Sequence, residues 1–121
     1  MTDEGVAITR RSAAGGVVVA EVRGEIDLTS AYALEEALTA AAAESGDDGG
    51  AAPRVVVDLT EVTFMDSSGL NALLRTHRAV QARGGTLALA GAQQTVARLL
   101  EMTGLEEVIP VFPGVDEAIE P

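Results

Sequence analysis

The chain has no cysteine, no tryptophan and no lysine. Without cysteine there are no disulfides, no thiol chemistry and no thiolate metal site. Aromatics are nearly absent, with Tyr32, Phe64 and Phe112 as the whole set. A core must therefore be built from Val, Leu, Ile and Ala. Positive charge is scarce: eight Arg stand against nineteen acidic residues, for a net charge of −11. A nucleic-acid binder needs a cationic face to neutralise phosphates, so direct nucleic-acid binding is disfavoured. The same acidity argues against an anionic membrane surface. No apolar run approaches the roughly 20 residues of a membrane span. The first residues, Met1-Thr2-Asp3-Glu4-Gly5, are acidic and lack an apolar signal segment, so a cytoplasmic protein is expected.

What is present fits one folded domain. The 121 residues are 47% hydrophobic, enough to bury a core of their own. Residues 1–5 read as a frayed terminus, and the core as about 5–119. Val6–Arg10 and Val17–Arg23 read as strands joined by a turn at Ala13-Ala14-Gly15-Gly16, which makes a hairpin. Gly24-Glu25-Ile26-Asp27-Leu28 then breaks the second strand, and Thr29 or Ser30 caps a helix. Leu34, Ala37, Leu38 and Ala41 recur at helical spacing through about residue 44. Residues 45–53 are small, polar and Gly-rich, and read as a flexible loop.

Arg54–Leu59 is a nearly continuous apolar run, suited to a strand covered on both faces. A short connector leads to a second helical stripe over 67–83, with Leu70, Leu73, Leu74, His77 and Val80, ended by Gly84-Gly85. Thr86–Ala90 is a further strand, and Gln93–Met102 a third helix. Gly104 is its left-handed stop. Val108–Phe112 is a last strand, at a sheet edge because it contains Pro110. Asp116–Ile119 adds a helical turn. Strands alternate with helices after the opening hairpin, which predicts an α/β domain with a mixed sheet.

The chemistry concentrates at Asp66-Ser67-Ser68-Gly69, where the strand run meets the second helix. A hydrolase elbow needs Gly two places before and two places after its Ser; Met65 and Asp66 occupy the places before Ser67 and Ser68. The only His, His77, lies ten residues beyond Ser67 on the same helix, roughly 15 Å along its axis. That is out of reach for a base, and its place on the apolar stripe makes it a packed side chain. Asp58 resembles a phosphoacceptor at the end of a buried strand, but a receiver also needs a Lys. No G-x-x-x-x-G-K-[ST] or G-x-G-x-x-G run occurs. Glu25 and Asp27 read as a solvated turn, not a metal site. No catalytic residue, metal or cofactor is expected.

Ser67 remains as a substrate. A phosphoserine carries about −1.5 to −2 charges and, at a helix start, meets free backbone N–H groups. The expected effect is on a partner surface, with little change of fold. The plainer reading is capping by Asp66 or Ser67, with Gly69 for close packing. Capping physics does not separate Ser67 from Ser68.

Val55-Val56-Val57-Asp58-Leu59-Thr60-Glu61-Val62-Thr63-Phe64-Met65-Asp66-Ser67-Ser68-Gly69-Leu70 resembles the signature of STAS-domain anti-sigma factor antagonists. Gly24-Glu25-Ile26-Asp27 resembles that family's turn before the first helix, Gly84-Gly85-Thr86-Leu87 its Gly-Gly before a strand, and residues 96–105 its penultimate helix and stop. The resemblance implies a single STAS domain over 1–121, with a mixed sheet and helices packed mainly on one side. It implies a protein that, unphosphorylated, binds an anti-sigma factor and frees the sigma factor. That partner is also a serine kinase using ATP and Mg²⁺, and a PP2C-type phosphatase reverses its action. The phosphorylated residue is the Ser directly after the Asp, here Ser67. Partner contacts are expected at Asp66, Ser67, Ser68, Gly69, Glu25 and Asp27, on a monomer or weak dimer. Asn71 stands where many members have Gly, and residues 45–53 are a longer acidic loop than the family's. The other role open to such a module is in a stressosome-like signalling scaffold or a lipid-transport accessory protein.

Overall fold

β-Branched runs alternate with Ala/Leu stripes along this chain, and each adopts the element its periodicity favours. The computed structural model describes residues 2–3, 5–45 and 52–120. Among the described residues six strands and four α-helices follow in order: β1 Thr2–Asp3, β2 Val6–Ser12, β3 Val18–Ile26, α1 Ala31–Glu44, β4 Arg54–Met65, α2 Ser67–Ala82, β5 Thr86–Ala90, α3 Gln94–Met102, β6 Val111–Phe112 and α4 Val115–Ile119. The strands lie in one sheet in sequence order, β1 to β6. β1, β2 and β3 pair antiparallel, whereas β3, β4, β5 and β6 pair parallel. The expected mixed sheet is what forms.

The main core lies on one sheet face. Ile8, Val22, Val57 and Leu59 from the sheet pack with Leu34 and Leu38 of α1, Leu73 of α2 and Leu100 of α3. The other face carries a smaller cluster of Val17, Val19, Val56, Ala88 and Ala90 under Ala118 of α4. Helices therefore sit mainly on one side, with the short α4 as the exception. Val55, Val56 and Val57 are all buried because β4 is covered on both faces, which is why that run shows no alternation.

Several elements depart from the sequence reading. Thr2–Asp3 is not frayed; it pairs with Ala7 and Val6 of β2. β3 does not stop at Gly24 but continues to Ile26, with a register shift between Gly24 and Glu25. Gly24 has φ 106°, and a Cβ there would collide with the Gly5 carbonyl, which accepts a hydrogen bond from Glu25 N at 2.7 Å. A local kink thus replaces a strand end. The connector after Leu59 is also strand: Glu61 to Met65 pair with Arg23 to Ile26. The last strand shrinks to Val111–Phe112, because Leu105–Glu107 winds into a 3₁₀ turn and Pro110 offers no N–H. Gly104 takes the left-handed conformation expected of it, at φ 76°.

Residues 46–51 of the expected loop lie outside the described residues. Its first residue is firmly held. Ser45 is buried; its hydroxyl accepts from Arg54 N at 2.6 Å and lies 2.8 Å from Arg54 O and 3.0 Å from Gly16 O. It pins the end of α1 to the start of β4. The Arg54 guanidinium in turn donates to Ile119 O at 3.1 Å, tying α4 to the sheet.

Candidate functional site at the carboxyl ends of two parallel strands

β3 and β4 are parallel neighbours, so the segments that leave them emerge side by side. Asp66 N donates to Ile26 O at 3.1 Å, which locks the two exits together. The turn 25–30 and the first turn of α2 therefore form one surface at the carboxyl end of the sheet. Such ends are where open α/β sheets place their ligands.

The turn 25–30 is organised by two polar side chains. Asp27 Oδ1 accepts from Thr29 N at 3.0 Å and from the Thr29 hydroxyl at 2.7 Å. The Thr29 hydroxyl bond holds the Asp27 carboxyl below its usual 3.8. Ser30 is fully buried; its hydroxyl donates to Glu25 O at 2.9 Å and accepts from Asp27 N at 3.0 Å. Ser30 precedes α1 but makes no side-chain capping bond, because its hydroxyl is spent backwards on the turn. The expected N-cap is thus a turn brace.

At the second exit Asp66 is extended, with φ −115° and ψ −170°, and caps α2 by accepting from Ser68 N at 2.9 Å. Its carbonyl takes Gly69 N at 3.1 Å and Leu70 N at 3.2 Å. Of the N–H groups in this first turn, only that of Ser67 lacks a partner among the described residues. The sequence expectation of several free N–H groups waiting for a phosphate is therefore corrected. Asp66 already occupies them.

Ser67 and Ser68 differ in a way that capping rules did not show. Ser67 is exposed, and its hydroxyl has no hydrogen bond among the described residues. Ser68 is half-buried and turns toward a groove between α1 and α2, shared with Leu28, Tyr32 and Arg75. Gly69 is buried. A Cβ on it would lie 2.7 Å from Met65 Cγ and 2.8 Å from Ile26 Cγ2. It lets α2 start against the ends of β3 and β4.

The STAS domain pattern matches residues 11–118. The chain belongs to the STAS domain family. The anti-sigma-B factor antagonist of Bacillus subtilis is 33% identical over 90 residues, covering 74% of this chain and 76% of that one. An anti-sigma factor antagonist of Mycobacterium paratuberculosis superposes with a TM-score of 0.81 at 29% identity, covering 98% of this chain and 94% of that one. SpoIIAA of Bacillus in its phosphorylated form shares the fold at a TM-score of 0.67 and 23% identity, covering 94% of this chain and 97% of that one.

This STAS domain brings Glu25, Asp27, Asp66, Ser67, Ser68 and Gly69 to one end of the sheet. Glu25 is exposed and Asp27 half-buried beside it. His77 is buried at 7% exposure on α2, and its Nδ1 has no hydrogen-bond partner among the described residues. Asp58 lies elsewhere, on the α4 side of the sheet, where its carboxylate accepts from the Thr60 N–H and hydroxyl. Among the described residues no three His, Asp or Glu side chains gather as a metal site, and no helix is long and apolar enough to cross a membrane.

Two features of the site escaped the sequence reading. One is Ser30, whose bracing role depends on a turn no periodicity reveals. The other is the exposure of Leu28 and Tyr32, at 79% and 71%. A Leu flanked by Asp27 and Thr29 in a polar turn was the available signal.

Proposed function

We propose that this STAS domain is an anti-sigma factor antagonist switched by phosphorylation of Ser67. Unphosphorylated, it binds an anti-sigma factor that is also a serine kinase, and the sigma factor is released. The kinase holds ATP and Mg²⁺. Ser67 Oγ attacks the γ-phosphorus, the bond to the β-phosphate oxygen breaks, ADP leaves, and the hydroxyl proton passes to a base of the kinase. A PP2C-type phosphatase restores the hydroxyl. In this reading the chain is a substrate and binding partner in the cytoplasm, not an enzyme, and needs no cofactor of its own. Glu25, Asp27, Asp66 and Ser68 frame the contact, and Gly69 shapes it from beneath.

The observation that carries the reading is the state of the Ser67 hydroxyl. It is exposed at the start of α2 and has no hydrogen bond among the described residues, whereas Ser68, whose hydroxyl is likewise unbonded there, is half-buried. The names of the relatives support the partner class. Incubation with the cognate anti-sigma kinase, ATP and Mg²⁺ is expected to add one phosphate, mapped to Ser67. Ser67→Ala should accept none. Undiminished phosphorylation of Ser67→Ala would remove the site assignment.

A further inference from the structure

Leu28 and Tyr32 are large apolar side chains that the fold leaves almost bare, at 79% and 71% exposure. They stand four residues apart, in the brace turn and the first turn of α1. Both line a groove of about 290 Å³ between α1 and α2, whose far wall is Ser68, Asn71 and Arg75. Tyr32 also borders a second, shallower depression with Glu36 along α1. The pair is therefore a ridge beside a groove, and the groove reaches the residue next to Ser67.

We propose that Leu28 and Tyr32 are the apolar anchors by which this chain holds its anti-sigma partner, and that the partner meets them with an apolar pocket edged by Arg or Lys. The proposal rests on the antagonist reading. Charge selects the occupant. Arg75 is already paired with Glu35 at 2.9 Å, so it adds no free positive charge. Glu25, Asp27, Glu36 and Asp66 have no ion pair among the described residues. A second copy of a chain with net charge −11 would bring the same carboxylates face to face. A cation-edged partner would satisfy them. Aromatic and aliphatic anchors ringed by polar residues are the usual carriers of interface affinity. Such anchors set binding before the phosphoryl group moves, so they govern KM more than kcat.

The test uses the full chain and its cognate anti-sigma kinase. Leu28→Ser, Tyr32→Ser and the double variant are compared with wild type by calorimetry and by the rate of Ser67 phosphorylation. Met102→Ser removes an equally bare apolar residue, 76% exposed on α3, and serves as control. Circular dichroism checks that each variant is folded. Each single variant is expected to bind about tenfold more weakly, and the double about 100-fold, with KM raised and kcat nearly unchanged. Met102→Ser should match wild type. A folded double variant that binds like wild type overturns the anchors and leaves the antagonist reading standing. A wild type that binds no anti-sigma kinase overturns both. Self-association of wild type through this face, lost in the double variant, replaces the partner with a second copy and overturns the proposal.

Discussion

Ser67→Asp is expected to weaken binding to the anti-sigma partner by about 100-fold or more, while leaving the domain folded. Leaving a charge unpaired in a contact costs about 2–5 kcal/mol. Two features make the effect fall on the partner. Ser67 is exposed, so its replacement disturbs no packing, and stability should change by no more than about 0.5 kcal/mol. The Ser68, Gly69 and Leu70 N–H groups are already taken by Asp66, so the fold has little to offer an added anion. Asp66 itself, one residue away, repels it. The new charge therefore faces outward. Ser67→Ala removes only a hydroxyl and is expected to bind within about threefold of wild type, which makes it a permanently active form. Calorimetric titration against the anti-sigma kinase measures both. Equal affinity for Ser67→Asp and wild type would remove charge as the basis of the switch.

Gly69→Val is expected to destabilise the domain by about 3 kcal/mol, the upper part of the range for overpacked sites. The new Cβ alone would press within 2.8 Å of Ile26 Cγ2 and within 2.7 Å of Met65 Cγ. Met65 is flexible and can turn aside. Ile26 is β-branched, fully buried and fixed at the end of β3, so it cannot. Two further methyl groups enlarge the clash, and α2 must lift at its first turn, carrying Ser67 with it. Gly69→Ala gains about 1 kcal/mol from helix propensity, which offsets part of its smaller clash. Its net cost should be about 1 kcal/mol. Urea unfolding midpoints separate the two variants. A Gly69→Val protein as stable as wild type would show that the start of α2 has room to spare.

How much of this was legible in the sequence depended on whether one physical rule governed each stretch. The Leu stripe of α2, the triple Val of β4 and the stop at Gly104 each follow from a single periodicity or a single backbone requirement, and each formed as expected. Thr60 to Met65 was less readable. Its polar–apolar mixture looks like a connector until β3 lies alongside to pair with it. Ser30 looked like a helix cap because its position fits one; only the folded turn shows its hydroxyl directed to Glu25 O. The Asp-Ser-Ser-Gly site was visible as chemistry without consumers, since no base, lysine or phosphate loop stood near it. Choosing Ser67 over Ser68 needed family resemblance at the sequence level. In the folded chain the two differ in burial, with Ser67 exposed and Ser68 half-buried, and the proposal for Ser67 draws on that difference. Exposure of Leu28 was signalled only by its polar neighbours Asp27 and Thr29, and that of Tyr32 was hidden because α1 is rich in Ala, which obscures which apolar residues point inward.

The most direct measurement of the switch is sigma-factor release from a purified complex of sigma factor and anti-sigma kinase. Unphosphorylated chain should displace the sigma factor stoichiometrically. The same chain carrying one phosphate, mapped to Ser67, should displace none, and phosphatase treatment should restore it. Equal displacement by both forms, or a phosphate found on Ser68, would contradict the account.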